Sequence, residues 1–319
     1  MRSAHREEAD VLTTISSGTR AERIAALGFD YPAQPKAHVE RCNLCGGSTF
    51  VVLSHRDRYG HAARASGCTA CGLVFLDPVM TPEAYAAFYA GTYRPLVSAY
   101  HGRRIDARTI QEEQREYAVE RGDLLAPFLG GRRDRTLLDI GGSTGVVAHA
   151  FAQRFALRAT SIDPSPLEAA EAQSMGIETI EGLVESVDLG GRQFDVVTIC
   201  QTVDHLLDIT GTLRRVRDLL APGGLLFVDI VDFRAAYLRN WSIEEAIKID
   251  HPYYLTEPTM VAFLRRAGFE VMRTDVAADH LHVSYVARPS KPTSEALPAG
   301  DRVDALWREI RFVQNAPRP

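Results

Sequence analysis

Apolar and polar positions alternate in blocks along the second half of the chain. Short segments that predict strands lie at 137–140, 157–162, 178–180, 194–200 and 225–231, and several of them are rich in apolar residues. Stretches with an apolar residue every three or four positions, typical of helices, lie at 146–155, 166–175, 213–220 and 258–267. The last two apolar runs, 269–274 and 281–287, are joined by a short polar loop and predict an antiparallel hairpin. This alternation predicts an α/β fold with a mostly parallel sheet.

The pattern divides the chain into four parts. The predicted parts are an N-terminal helical extension (1–36), a small module (37–95), the α/β domain (96–288) and a linker with a final helix (289–319). In the first part, Thr19 and Glu22 form a capping box before a short helix. In the last part, apolar residues fall at helical spacing, at Val303, Leu306, Trp307, Ile310 and Val313. We expect this helix to dock on the domain or to form a homodimer with a second copy.

Four of the five cysteines form two pairs with metal-ligand spacing. Two residues separate Cys42 from Cys45, and two residues separate Cys68 from Cys71. Two such pairs at this separation fit tetrahedral coordination of zinc by four thiolates. Because four thiolates leave no coordination position open, the zinc would be structural. Two disulfides or four unligated thiols are the alternatives, and disulfides are disfavoured in a cytoplasmic chain.

Composition and charge restrict the classes of function. The chain has 319 residues, of which 45% are hydrophobic and 24% are charged, as in an ordinary globular protein. No apolar run is long enough for a membrane span, and the N-terminus lacks the apolar core of a secretory signal. We therefore expect a cytoplasmic protein. The net charge of −5 disfavours a dedicated nucleic-acid binder, which needs clustered Lys and Arg.

The most informative stretch follows the first strand of the α/β part. That strand ends near Asp139, and the small residues that follow, up to Gly145, predict a tight turn into a helix. A ligand would lie at this carboxyl edge of the sheet, near the start of the helix. The dinucleotide fingerprint requires glycine where this chain has Ser143 and Val146, so the turn does not match it.

An acidic residue also ends the next strand. Asp163 lies 20 residues beyond Ser143 and directly precedes Pro164. A carboxylate at this position can accept hydrogen bonds from both ribose hydroxyls of a nucleoside. The alternative is a surface aspartate in an ordinary turn before proline.

Residues 136–288 together resemble the class I S-adenosylmethionine (SAM) methyltransferases. The motifs that carry the resemblance are Asp139 to Gly145, Asp163, Phe194-Asp195-Val-Val, Val203-Asp204-His205-Leu-Leu-Asp208, Leu-Leu-Ala-Pro-Gly-Gly at 219–224 and Arg-Arg-Ala-Gly-Phe-Glu at 265–270. The resemblance implies a Rossmann-like sheet with SAM as cofactor. It implies cofactor contacts from Tyr93, Asp139, Gly141, Gly142, Ser143, Gly145, Asp163, Pro164, Leu183, Val184 and Gln201. The family often has Gly-Asp after the third strand where this chain has Gly182 and Leu183, so backbone groups of Leu183 and Val184 would replace a side chain.

The N-terminal part restricts the resemblance to a smaller group of methyltransferases. Its four cysteines, the following Cys71-Gly-Leu-Val-Phe-Leu-Asp-Pro and a Thr-Pro-Glu helix resemble a zinc-binding domain fused to bacterial sugar and natural-product methyltransferases. In sugar C-methyltransferases of that group, a Glu-His pair after the fifth strand lies at the substrate. Asp250 and His251 occupy the corresponding place here, which implies His251 as a catalytic base oriented by Asp250. A histidine that only packs in the Pro/Tyr-rich loop is the alternative.

These features predict a SAM-dependent methyltransferase of secondary metabolism that methylates oxygen or carbon of a small molecule, such as a sugar or natural-product intermediate. One alternative is an RNA methyltransferase that uses the zinc module to grip nucleic acid. Arginines that would support it are Arg56, Arg58, Arg64, Arg132, Arg133 and Arg135. The other alternative is a catalytically inactive SAM-binding protein.

Overall fold

A seven-stranded sheet forms the centre of the computed structural model, which describes residues 18–129, 135–293 and 297–317. Its strands are Arg135–Ile140 (β6), Leu157–Asp163 (β7), Glu178–Glu181 (β8), Phe194–Ile199 (β9), Leu220–Val231 (β10), Phe269–Val276 (β12) and His282–Pro289 (β13). Their order is β12-β13-β10-β9-β6-β7-β8. β6 to β10 are parallel, whereas β13 lies antiparallel between β10 and β12. The α/β class and the final hairpin are both confirmed.

The predicted helices lie close to their expected positions, and three further helices, Tyr93–His101, Phe233–Asn240 and Ile243–Ala246, were not predicted. The α-helices in the described part of the chain are Arg20–Ala25, Pro82–Ala87, Tyr93–His101, Ala107–Leu125, Val146–Phe155, Pro166–Ser174, Ile209–Leu219, Phe233–Asn240, Ile243–Ala246, Glu257–Ala267 and Gly300–Asn315. The capping box is confirmed, because the Thr19 hydroxyl accepts from the Glu22 backbone N–H and the Glu22 carboxylate accepts from the Thr19 backbone N–H. Local capping and turn residues therefore set several of these helix boundaries.

The register of the parallel strands brings three chain segments to one edge of the sheet. Ile140 on β6 lies beside Ile162 on β7, and Asp139 lies beside Thr198 on β9. The turn after β6, Asp163 at the end of β7 and the residues after β9 therefore meet at the same carboxyl edge. This is the edge at which ligands bind in open parallel sheets.

The four-cysteine module contains a second sheet that is completed by a distant strand. Its strands are Phe50–Ser54 (β2), Ala65–Cys68 (β3), Val74–Leu76 (β4) and Tyr253–Tyr254 (β11), whereas Lys36–Ala37 (β1) and Val79–Met80 (β5) pair separately as a two-stranded sheet. β11 comes from the segment after β10 and pairs antiparallel with β4. The four predicted domains stay predictions, and this pairing ties the module at 37–95 to the segment that carries His251.

The C-terminal helix Gly300–Asn315 covers the module within the same chain. Its apolar side is buried, and the Trp307 ring lies so close to Gly67 that a Cβ there would be 2.3 Å from a ring atom. On the polar side, Gln314 donates to the Leu53 carbonyl and Glu309 pairs with Arg234. The predicted amphipathic helix is confirmed, and a homodimer through it stays a prediction.

Some predictions fall on residues outside the described ranges. Residues 1–17 of the N-terminal extension, Arg132, Arg133 and residues 294–296 of the linker are among these. Across the described ranges, the structure contains no helix that is both long enough and apolar enough to span a membrane. The cytoplasmic location stays a prediction.

Candidate active site

The turn after β6 needs small residues for two geometric reasons. Gly141 and Gly145 have φ angles of +69° and +79°, which favour glycine. A Cβ on Gly142 would lie 2.2 Å from the Ser161 hydroxyl and 2.9 Å from a carboxylate oxygen of Asp139. Helix Val146–Phe155 begins directly after Gly145 without a side-chain cap. The turn thus leaves backbone and buried polar side chains close together at a helix N-terminus.

Buried oxygen atoms beside this turn lack a partner in the described structure. Asp139 Oδ1 accepts a 2.6 Å hydrogen bond from Thr198, whereas Asp139 Oδ2, Thr144 Oγ1 and Ser161 Oγ have none. Burial raises the pKa of Asp139 to about 7. Unpartnered buried oxygens are costly, so this set fits a ligand that brings hydrogen-bond donors such as an amino group.

Asp163 is held by backbone groups on both sides. Its two carboxylate oxygens accept 2.8 Å hydrogen bonds from the Ser143 and Ser165 N–H groups. Burial, with a contribution from the nearby Glu168 carboxylate, raises the pKa of Asp163 to about 6. Each carboxylate oxygen can accept a further hydrogen bond, so the residue retains capacity for a diol.

Arg94 and Glu168 belong to this site and escaped the sequence analysis. The Arg94 guanidinium pairs with Glu168, lies 3.3 Å from the Ser143 hydroxyl and stacks 4.9 Å from the centre of the Tyr93 ring. Both residues line the same cavity as Ser143 and Asp163. Nothing in the local sequence distinguishes Arg94 from an exposed helical arginine, because the pairing depends on a contact between residues 74 positions apart.

A cavity of about 530 Å³ opens at the carboxyl edge of the sheet. The predicted cofactor residues that line it are Tyr93, Gly141, Ser143, Asp163, Pro164, Leu183, Val184 and Gln201. Asp139, Gly142 and Gly145 do not line it and lie in or beneath the turn. The Val184 carbonyl accepts a hydrogen bond from Arg215, so the backbone N–H of Val184 is the group that could bind a ligand. The structure brings these residues together, and their binding roles stay predictions.

The other side of the cavity has an apolar wall, formed by Val97, Ile105, Ile110 and Tyr117. Ile110 and Tyr117 lie on helix Ala107–Leu125, most of whose other residues are polar or charged. Glu113 and Gln114 on the same helix also line the cavity. Residues 110, 113, 114 and 117 lie on one face of the helix. This spacing was the sequence signal that one side of the helix could border a cavity.

Two histidines lie next to each other below the cavity, with ring centres 4.2 Å apart. His205 lines the cavity and is half-buried, whereas His251 is buried and does not line it. His251 Nδ1 lies 2.7 Å from Asp204, and its Nε2 lies 3.2 Å from Asp250 and 3.4 Å from Lys248 Nζ. The predicted pairing of His251 with Asp250 is therefore present, and Asp204 is a third member that sequence reasoning missed.

The ionisable side chains of this cluster strongly influence one another's pKa values. Burial opposes the charged form of His251, but the facing Asp204 and Asp250 carboxylates hold its pKa above the ordinary value. Burial alone would raise the pKa values of the two aspartates, and His251 instead keeps both low. Burial and the neighbouring His251 charge lower the pKa of His205 to about 4. His205 is therefore neutral at neutral pH, whereas the surroundings of His251 favour its charged form.

The four predicted metal-ligating cysteines converge in the module. Cys42 Sγ lies 3.5 Å from Cys71 Sγ, and Cys45 Sγ lies 3.5 Å from Cys68 Sγ. All four sulfurs lie within 4.8 Å of one another, and the Gly47 N–H donates to Cys45 Sγ. This set fits four-thiolate zinc coordination. Asp204, His205 and His251 also place potential ligand atoms within 4.8 Å, but Asp204 and His251 already pair directly.

The arginines of the nucleic-acid alternative do not form a free basic surface where they are described. Arg64 pairs with Asp77 at 2.8 Å, and Arg58 stacks on Tyr100 and donates to its hydroxyl. Arg135 begins β6, and Arg132 and Arg133 lie outside the described residues. Arg56 is exposed, but its neighbours Arg58 and Arg64 are paired, so the described arginines do not form a phosphate-binding stripe.

Comparison with known proteins identifies methyltransferases among the matches. Residues 110–274 match the model of a family described as a methyltransferase domain. A ubiquinone biosynthesis O-methyltransferase of Ruegeria pomeroyi is 34% identical over 203 residues, covering 56% of this chain and 75% of that protein. One from Methylobacterium sp. (strain 4-46) is 31% identical over 103 residues, covering 30% of this chain and 41% of that protein. The chain thus spans less than half of the length of this second relative.

Two solved structures have a similar fold at low sequence identity. The 1,6-didemethyltoxoflavin-N1-methyltransferase of Burkholderia thailandensis, solved with S-adenosylhomocysteine, has a TM-score of 0.50 and 21% identity, covering 70% of this chain and 96% of that chain. The magnesium protoporphyrin IX methyltransferase of Synechocystis PCC 6803, also with S-adenosylhomocysteine, has a TM-score of 0.51 and 13% identity, covering 66% and 100%. These likenesses concern the fold.

Proposed function

The chain belongs to the methyltransferase domain family, and we propose that it transfers the methyl group of SAM to a hydroxyl group of a small molecule. One observation carries this proposal. The turn at 141–145, Asp163 and the apolar wall open into the same cavity, so a cofactor and an acceptor can lie side by side. Close positioning of two reactants is the main service that a protein gives to a displacement of this kind.

The residues at the sheet edge fit the chemical groups of SAM. Asp163 would accept from the ribose hydroxyls, and Asp139, which lies beneath the turn, would support the backbone that faces the amino-acid tail. Arg94 would face the tail carboxylate, since it lies beside Ser143 at the turn. When bound, the cofactor supplies an electrophilic methyl group with a good leaving group. The apolar wall would exclude water from the acceptor side.

A small hydroxylated acceptor is favoured over other classes. The relatives with significant identity carry the name O-methyltransferase, which supports methylation at oxygen. The cavity combines an apolar wall with many polar side chains, among them the carboxylates of Glu113, Glu168 and Glu185. This lining suits a ring compound with a hydroxyl, as in a sugar or natural-product intermediate, better than a polyanionic RNA.

We also propose a structural zinc ion at the four-cysteine set. Sulfur separations of 3.5 Å within two pairs suit a tetrahedral thiolate site. The set has no open position for a substrate, so the ion would stabilise the module and the helix that covers it. The predicted role of His251 as base, with Asp250, stays a prediction at this point.

Calorimetric titration with two ligands tests the cofactor assignment. S-adenosylhomocysteine and 5′-methylthioadenosine share the adenosine, but the second lacks the amino-acid tail. Arg94→Met is expected to weaken binding of S-adenosylhomocysteine only, by about 1–3 kcal/mol, because it removes a charge-assisted contact to the tail. Arg115→Met, exposed on helix Ala107–Leu125, is the control. Wild-type protein that binds neither ligand would contradict the proposed function.

Label transfer from tritiated SAM distinguishes the acceptor classes. Separate reactions contain a small-molecule filtrate of the source cells and total RNA. We expect label in the filtrate, in a compound that keeps the label through acid treatment as a methyl ether does. Label in RNA would favour the nucleic-acid alternative, and cofactor binding with no transfer to either would favour an inactive SAM-binding protein.

A further inference from the structure

We propose that His205 takes the proton from the acceptor hydroxyl, with Tyr89 holding its ring in the required tautomer and His251 acting as a positioning residue. This inference rests on the proposed function and assigns its proton acceptor. It differs from the sequence-based prediction, which places the base at His251. Three observations carry it: position relative to the cavity, hydrogen-bond polarity and charge.

Position separates the two histidines. His205 ends the short 3₁₀ turn Val203–His205 after β9 and lines the cavity next to Gln201 and Leu206. His251 lies behind it, with 7% of its surface exposed, and is not part of the cavity lining. A proton acceptor must come within hydrogen-bond reach of the reacting hydroxyl. Only His205 of this pair borders the space where an acceptor can lie.

Hydrogen-bond polarity fixes the tautomer of His205. The Tyr89 hydroxyl donates its single proton to the Asp250 carbonyl at 2.8 Å. The same hydroxyl lies 2.8 Å from His205 Nδ1. Because its proton is already used, the tyrosine oxygen must accept at this contact, so Nδ1 carries the hydrogen. The neutral ring then has its lone pair on Nε2, for which the described part of the structure shows no hydrogen-bond partner.

His251 is held in a form that cannot serve as a base. Its Nδ1 faces the Asp204 carboxylate at 2.7 Å, and its Nε2 faces Asp250 at 3.2 Å. Two facing carboxylates favour the doubly protonated cation, which has no lone pair to offer, and they outweigh the opposing charge of Lys248, whose Nζ lies 3.4 Å from Nε2. Asp204 immediately precedes His205 in the chain, so this ion pair also fixes the backbone that carries the proposed base.

Burial and the surrounding charges keep His205 neutral before reaction. Titratable groups that face it from the neighbouring elements are Tyr89, Tyr93, Asp204, Lys248, Asp250 and His251. Burial is the main cause of the low pKa of His205, positive charge on His251 lowers it further, and Asp204 and Asp250 raise it. The ring is therefore unprotonated at neutral pH and can accept a proton from the acceptor hydroxyl.

The proposed step balances as follows. The acceptor O–H bond breaks, its proton moves to His205 Nε2, and the electron pair stays on oxygen. That oxygen forms a bond to the methyl carbon, and the electron pair of the carbon–sulfur bond remains on the sulfur of the cofactor. The products are a methyl ether, S-adenosylhomocysteine and protonated His205, which returns its proton to water after product release.

Nitrogen-15 NMR of histidine side chains in the full-length, ligand-free protein provides the test. His205→Gln assigns the His205 signals, and His55→Gln, exposed on the four-cysteine module, is the control. Near pH 7.5 we expect a neutral ring with hydrogen on Nδ1 and an unprotonated Nε2. Tyr89→Phe removes the hydroxyl and should give a mixture of both tautomers. Hydrogen on Nε2, a charged His205 ring, or an unchanged tautomer in Tyr89→Phe would overturn the proposal.

Kinetics and binding separate this inference from the proposed function. With catechol as the probe acceptor, His205→Gln should lower kcat by about 10²–10⁴-fold and leave S-adenosylhomocysteine affinity unchanged. His251→Gln should lower kcat less and lower the melting temperature. If only His251→Gln loses turnover, the assignment of the base is overturned while the proposed function stands. The same holds if wild-type protein contains a divalent metal ion that His205→Gln loses, because His205 would then be a metal ligand. Wild-type protein without S-adenosylhomocysteine affinity would contradict the function itself, whatever the tautomer.

Discussion

Asp163 is the residue whose ionisation should control cofactor binding. Asp163→Asn should weaken S-adenosylhomocysteine binding by about 1–3 kcal/mol, because charge-assisted hydrogen bonds to the ribose become neutral ones. Calorimetry measures this, with Glu181→Gln at the exposed end of β8 as the control. Equal affinities in Asp163→Asn and wild type would remove Asp163 from the site.

The same residue gives a pH dependence with a defined sign. The pKa of Asp163 is about 6, so the carboxylate that accepts hydrogen bonds becomes protonated as pH falls through that value. Wild-type affinity for S-adenosylhomocysteine should therefore decrease between pH 7.5 and about pH 5.5. In Asp163→Asn this decrease should be smaller, with the remainder due to Asp139, whose pKa is about 7. An identical pH profile in both proteins would contradict the assignment.

At the scale of single residues, the sequence predicted the acidic residues of the site better than the residues that contact one another across it. Asp139 and Asp163 could be predicted because each follows a recognisable strand. The Arg94–Glu168 pair and the Tyr89–His205–Asp250 chain of contacts join residues from distant segments. No local pattern encodes such a contact, so the sequence pointed to His251 without showing that Asp204 and Asp250 enclose it.

At the scale of elements, the turn after β6 is the most sensitive structure. Gly142→Ala should destabilise the fold and weaken S-adenosylhomocysteine binding by about 1–3 kcal/mol, since its Cβ would lie 2.2 Å from Ser161 Oγ. Gly142 has an ordinary negative φ, so the effect is steric and not conformational. The double variant Gly142→Ala/Ser161→Ala should regain thermal stability. If Gly142→Ala has the same melting temperature and the same S-adenosylhomocysteine affinity as wild type, the turn is less tightly packed than described.

The four-cysteine module gives a second prediction at this scale. Purified wild-type protein should contain about one zinc ion per chain by metal analysis, because the four sulfurs fit one tetrahedral ion. Cys42→Ser should lose that zinc and lower the melting temperature, since structural zinc contributes to folding. Cys200→Ser is the control, because this fifth cysteine lies at the cavity and outside the set. Zinc retained in Cys42→Ser would contradict four-cysteine coordination.

Elements were predictable where a period or a terminal residue identifies them. The strands β6 and β9 are rich in apolar residues, and Gly268 in a left-handed conformation ends helix Glu257–Ala267 where the sequence predicts it. The two-residue strand β11 was not predictable. Its pairing with β4 depends on the position of the whole segment after β10, not on the residues Tyr253 and Tyr254 themselves.

At the scale of the whole molecule, the C-terminal helix joins the module to the rest of the chain. Trp307→Ala should lower the free energy of unfolding by about 3–5 kcal/mol, because this buried ring fills the space beside Gly67. Phe312→Ser on the same helix is the control, since 62% of Phe312 is exposed and its change should cost little. Chemical denaturation measures both. A Trp307→Ala protein as stable as wild type would contradict the described docking.

The same pair of variants addresses the predicted homodimer. The apolar side of the helix is already covered within one chain, so Trp307→Ala should act on stability and not on oligomeric state. Light scattering during size-exclusion chromatography would reveal a dimer. A dimer that Phe312→Ser dissociates would support the predicted association through the exposed side of this helix.

A crystal structure of the protein with bound S-adenosylhomocysteine tests the central claim most directly. The account predicts the ribose hydroxyls on the Asp163 carboxylate and the amino-acid tail at the turn beside Arg94. It also predicts the sulfur facing the part of the cavity that His205 borders. A ligand bound elsewhere, or an empty sheet edge in crystals grown at saturating S-adenosylhomocysteine, would contradict it.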